Sequence, residues 1–111
     1  MYLRPRTLAE KFLVEEKITR LDDRGRPAVE FKPTGEIIFG VISMATPTEV
    51  EKYKAVHHEI SHVIVQRGGR PKAKVGDLLV KVDKKYLVQS LEDIAGMGQW
   101  INYFVNMRAD L

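Results

Sequence analysis

Three residues of this chain have the types and spacing for metal chemistry. His58-Glu59-Ile60-Ser61-His62 reads H-E-x-x-H. On a helix, residues four apart share a face, so two imidazoles can hold one Zn²⁺ while the glutamate between them deprotonates a bound water. A zinc hydrolase also needs a third protein ligand. The longer helical form of the motif has glycine at position 65 and histidine at position 68, where Val65 and Gly68 stand. The next glutamate, Glu92, lies beyond a loop and two predicted strands. The motif also runs straight into Val63-Ile64-Val65, a β-branched triplet that suits a strand. The strand is the reading preferred here. It makes His62 a half-buried strand residue and leaves His57 and His58 to cap a preceding helix, where an imidazolium complements the helix dipole. No metal ligand, catalytic residue or cofactor is then expected.

The second chemical candidate is a basic cluster, Arg67, Arg70, Lys72 and Lys74, on a Gly-rich segment read as a flexible loop. Such cations can meet phosphates in a salt-dependent, sequence-independent way, or can be solvated charge on a hairpin. Trp100, Tyr103 and Phe104 alternate on both faces of one predicted strand, which suits core or interface positions better than a base-stacking platform. Gly96-Met97-Gly98 falls between predicted strands and reads as a hairpin loop, not as a dinucleotide fingerprint. The chain has no G-x-S-x-G elbow and no P-loop.

A chain of 111 residues supports one domain with a modest core, so residues 1–111 are read as a single domain. The content is 44% hydrophobic and 30% charged, that of an ordinary globular chain. No apolar run is long enough for a membrane-spanning helix, and no apolar stretch follows Arg4 and Arg6, so neither membrane insertion nor a signal peptide is expected. The absence of cysteine removes disulfides and thiolate metal sites. A net charge of +3 allows weak contact with an acidic surface and does not by itself imply a nucleic-acid binder.

The positioning elements follow from pattern. Arg4-Pro5-Arg6 reads as a mobile arm. Thr7-Leu8-Ala9-Glu10 fits a capping box, while Lys11 to Leu21 can instead be a first strand; both stay open. Asp22 to Pro27 is a turn, Val29 and Phe31 alternate in a short strand, and Pro33-Thr34-Gly35 reads as a second turn. Glu36 to Ala45 is apolar on both faces, with Ile37, Phe39 and Val41 on one and Ile38, Ile42 and Met44 on the other. One face suits the core; the other wants a helix or a neighbouring subunit over it. Thr46-Pro47-Thr48-Glu49 starts a helix: a Thr cap, Pro at the first position, Glu three residues on. Strands are then predicted from Ser61 to Arg67, Leu78 to Val82, Tyr86 to Leu91 and Gln99 to Met107, with Asp83-Lys84-Lys85 as a tight turn and Ala95 to Gly98 as a loop. The sum is a mainly β, single-domain small barrel of six or seven short strands with one inserted helix.

In this order the elements resemble a known family. Gly40 to Glu49, a strand, a short loop and an acidic residue before a helix, is similar to one segment of the head-tail joining proteins of tailed phages. Ser61-His62-Val63-Ile64-Val65-Gln66-Arg67 looks like that family's T-H-x-V-x-I-R strand, Val75-Gly76-Asp77-Leu78-Leu79-Val80 like its x-G-D-x-I-x strand start, and Tyr86 to Asp93 like its Y-x-I-x-x-V-x-D strand. The likeness covers about residues 36 to 107. Two departures stand out: Asp83-Lys84-Lys85 replaces a turn that usually carries glycine, and the Gly68 to Lys74 loop is long and basic. The resemblance implies a non-enzymatic head-completion protein of a virion or prophage, assembled in the host cytoplasm. It implies a homo-oligomeric ring between the portal or its adaptor and the tail, closing the DNA-filled head. Arg67, Arg70, Lys72, Lys74 and Glu49, on the excursions from the barrel, are the candidates for channel, DNA or partner contact. The alternatives drawn from the residues themselves are the zinc hydrolase and a nucleic-acid-binding β-barrel.

Overall fold

The structure is a computed structural model and describes residues 9–55, 59–93 and 100–111. The Arg4-Pro5-Arg6 segment, Thr7, His57, His58, the Ala95 to Gly98 loop and Gln99, the expected start of the last strand, lie outside the described residues.

Among the described residues six strands and one helix follow in the order β1 (Ala9–Leu21), β2 (Pro27–Met44), α1 (Pro47–Lys54), β3 (His62–Arg67), β4 (Leu78–Lys81), β5 (Lys84–Asp93) and β6 (Trp100–Met107). The strands form one antiparallel sheet that closes on itself, β1-β2-β3-β6-β5-β4, with the β1–β4 seam at Leu13–Val80, Val14–Leu79 and Glu15–Leu78. Closure satisfies the edge N–H and C=O groups that an open sheet would leave bare. Alternation sets the interior: Phe12, Val14, Ile38, Ile64, Leu79, Tyr86, Val88, Ile101, Tyr103 and Val105 fill it. A smaller cluster lies outside the wall, where Ile60, Val63 and Phe104 pack under Tyr53 of α1, with the Tyr53 and Phe104 rings 4.7 Å apart.

β1 and β2 are far longer than the short strands expected. A strand spans Ala9 to Leu21, which overturns a helix starting at the Thr7–Glu10 pattern. Pro33-Thr34-Gly35 does not reverse the chain either; β2 runs through it. Leu13 pairs with Ile37 and Glu15 with Pro33, so Val14 alone faces Thr34, Gly35 and Glu36. This bulge uses the turn chemistry locally. Gly35 takes φ +86°, the Thr34 hydroxyl donates to the Val14 carbonyl (3.3 Å) and also accepts from the Glu36 N–H, and Pro33 needs no ladder hydrogen bond at an edge. Beyond the bulge β1 and β2 continue as a two-stranded arm of roughly 20 Å, closed by the Asp22–Pro27 turn. The Asp22 carboxylate accepts from the N–H groups of Arg24 and Arg26 there. No residue from Glu15 to Ile37 is buried.

α1 starts as read. The Thr46 side chain accepts from the Glu49 N–H and the Glu49 carboxylate from the Thr46 N–H. It ends at Lys54, earlier than the His57 or His58 expected, with Ala55 as its C-cap.

The β4–β5 turn differs from the Asp83-Lys84-Lys85 reading. Lys81 pairs with Lys84, so the loop is Val82-Asp83, and Lys84 and Lys85 belong to β5. Val82 sits at φ 55° and is 90% exposed. A β-branched residue is strained there and gains no burial in return. Val82→Gly or Val82→Asn is therefore expected to stabilise the fold by about 1 kcal/mol, read as a higher midpoint in urea. An unchanged or lower midpoint would refute the strain.

Candidate functional site

The five residues singled out by sequence do not form one site. Glu49 is at the end of the barrel where β2 leaves and β3 begins, and its carboxylate closes the α1 capping box. The four cations gather at the other end, where β3 runs out at Arg67 into the Gly68–Lys74 loop.

That loop is held in place by a buried polar latch, unlike the flexible segment expected. Tyr103, fully buried on β6, donates its hydroxyl to the Gln66 side-chain carbonyl at 2.6 Å and accepts from the Lys72 N–H at 3.1 Å. The Gln66 amide, on a side chain 4% exposed, donates to the carbonyls of Gly68 (2.9 Å) and Arg70 (3.0 Å). Burial pushes the Tyr103 phenol above its ordinary pKa, outweighing the opposing Lys72 N–H, so it remains a proton donor at neutral pH. Further along, the buried Asp77 carboxylate accepts from the Lys74 N–H at 3.0 Å.

The cations differ in what they are free to do. The Lys72 ammonium donates to the Ile37 carbonyl (3.1 Å), and that of Lys74 reaches Glu16 at 3.4 Å. Both therefore tie the loop to the base of the arm. Arg67 lies on the outer wall, its guanidinium 5.9 Å from the centre of the Trp100 ring. Arg70 makes no ion pair among the described residues. Of the predicted cluster, Arg67 and Arg70 are the cations available to a partner.

Glu59 to His62 do not take the helical geometry that zinc chemistry requires. α1 has ended before Glu59, and His62 opens β3. The Ser61 hydroxyl is hydrogen-bonded to His62 Nδ1 at 2.7 Å and accepts from the Met107 N–H at 2.8 Å. Among the described residues no three His, Cys, Asp or Glu side chains converge on a metal-sized site. The triplet Val63-Ile64-Val65 decides the local structure: Ile64 faces the interior and Val63 the helix-covered outer cluster, and a strand places them so.

His62 packs edge-on to Tyr86, with ring centres 5.5 Å apart. Burial first, then the nearby Lys84 ammonium, lowers its pKa below the ordinary 6.5. The folded state thus takes up a proton less readily than the unfolded chain. Stability present above pH ~6.5 is expected to be lost as pH falls through the folded pKa. Urea midpoints between pH 7.5 and 5 should fall for the native chain and flatten for His62→Gln. The same slope in both would refute the assignment to His62.

The wall carries exposed apolar residues that the sequence reading took for interior or interface without placing them. Phe39 (63% exposed) and Trp100 (43%) flank a groove of about 310 Å³ lined also by Ala9, Gly40, Val41, Val65 and Arg67. The arm has an apolar side of its own, with Phe31 beside Lys17, Val29 beside Thr19, and Leu21 beside Pro27. Among the described residues no helix is long and apolar enough to cross a membrane.

Comparison of the chain with protein-family models and with curated proteins returns no match.

Proposed function

We propose that this protein is a structural connector of the phage head-completion type, a barrel whose copies assemble in a ring between portal and tail and close the DNA-filled head. The reading rests on the resemblance of residues 36 to 107 to that family. The observation that carries it is the arm. A sealed barrel has no free sheet edge to pair with a neighbour, yet this chain extends a two-stranded ribbon with Leu21 72% and Val29 54% exposed. An isolated two-stranded ribbon is marginally stable in water, so its apolar side calls for a partner surface. A ring of identical subunits joined head to tail needs two different surfaces on each copy, and the arm provides one of them. Portal or adaptor and tail proteins are the proposed neighbours, with non-specific contact to packaged DNA through Arg67 and Arg70.

The test is docking. Purified protein is mixed with DNA-filled, tailless heads of the encoding phage, and the portal vertex is imaged by cryo-electron microscopy. Ring-shaped density at that vertex, lost with Leu21→Asp/Val29→Asp, is the expected result. A vertex unchanged at saturating protein contradicts the proposal. A zinc hydrolase has no comparable support, because His62 stands on a strand.

A further inference from the structure

Because Phe12, Ile38, Ile64 and Ile101 point inward, the alternating residues Lys11, Phe39, Arg67 and Trp100 point outward. Lys11 pairs with Phe39, and Arg67 with Trp100. Gly40 pairs with Gln66, so Phe39 and Arg67 occupy the next position of β2 and β3. The result is one row across four adjacent strands, cation–aromatic–cation–aromatic, all exposed. The floor beside it is Ala9, Val41 and Val65. Among the described residues no acidic residue lines the groove. Glu10 turns away to pair with Lys81 at 2.6 Å, and Glu92 stands at the margin, beside Asn102.

We infer that this wall binds single-stranded nucleic acid, with bases stacking on Phe39 and Trp100 and phosphates meeting Lys11 and Arg67. The charge complementarity is direct: a row with two cations, beside a groove that no acid lines among the described residues, suits a polyanion. The aromatic faces select for polyanions that carry flat rings. The rigid barrel wall presents both without prior ordering, since the row sits on β-ladder positions. This surface is distinct from the Gly68–Lys74 loop, and the inference stands apart from the connector reading.

Trp100 is the only tryptophan, so its fluorescence reports on the site directly. Titration with a twelve-nucleotide oligothymidine at low salt should quench it saturably. Phe39→Ala, exposed and tolerable to the fold, should weaken binding roughly tenfold or more. Arg67→Ala should weaken it and reduce the slope of log K against log salt by about 0.7. Charge reversal at Arg70 should leave binding within about threefold by the same reasoning. Four results would overturn the inference. One is no quenching by the oligonucleotide. Another is equal binding of heparin with no effect of Phe39→Ala, which marks a generic cation patch. A third is loss of binding on reversal at Arg70 with Phe39→Ala silent, which places the contact on the loop. The last is protein-concentration-dependent quenching without oligonucleotide, with dimers in sedimentation, which makes the wall an interface between copies.

Discussion

Gly40→Ala is expected to destabilise the barrel by about 1–3 kcal/mol, even though alanine is normally the better strand residue. Gly40 faces the interior of β2, between Glu10 on β1 and Gln66 on β3. A Cβ there would stand 2.9 Å from the Val65 carbonyl oxygen and 3.0 Å from Ile64 Cγ2. The first is backbone in the β2–β3 ladder and cannot rotate aside, so relief requires separating two strands of the ring. Urea denaturation reads the loss, expected as a lower midpoint with an unchanged m-value. A neutral or stabilised Gly40→Ala would show that the two strands do not approach so closely.

Tyr103→Phe is expected to cost about 1–3 kcal/mol, because it leaves the buried Gln66 carbonyl and the Lys72 N–H unpaired while changing almost no volume. Gln66→Leu is expected to cost a similar amount, stranding the Gly68 and Arg70 carbonyls. The double variant should lose less than the sum of the two, since each substitution already breaks the shared bond. Both should open the loop locally. Exchange of the Lys72 amide hydrogen should accelerate, and trypsin should cut sooner after Lys72 and Lys74. Additive losses with an unchanged cleavage pattern would show that the latch does not hold the loop.

The latch shows where the sequence was silent. Gln66 and Tyr103 are 37 residues apart, and only closure of β3 against β6 brings them together. The local segment, Gly68-Gly69-Arg70-Pro71, has the composition of a mobile loop. Local chemistry was legible where the interaction is local: the Thr46–Glu49 capping box, the Asp22 turn, the strand through Val63-Ile64-Val65 and the alternation of β6 all formed as their residue types require. Pro33-Thr34-Gly35 misled because the same backbone chemistry serves a chain reversal or a bulge, and the choice lies with the partner strand. The long arm followed from that choice. For the candidate site, the sequence located the cations but not their employment: Lys72 and Lys74 brace the loop, and Glu49 caps a helix at the far end. The outward row of Phe39 and Trp100 needed the register of three strand pairs before it could be seen.

The connector reading is tested most directly in the particle. The reading frame is deleted from the phage or prophage that encodes it, the lysate is imaged by electron microscopy, and the gene is restored in trans. Separate heads and complete tails, with heads that leak DNA and rejoin tails on complementation, are the predicted result. Intact, tailed, DNA-filled particles from the deletion would contradict it.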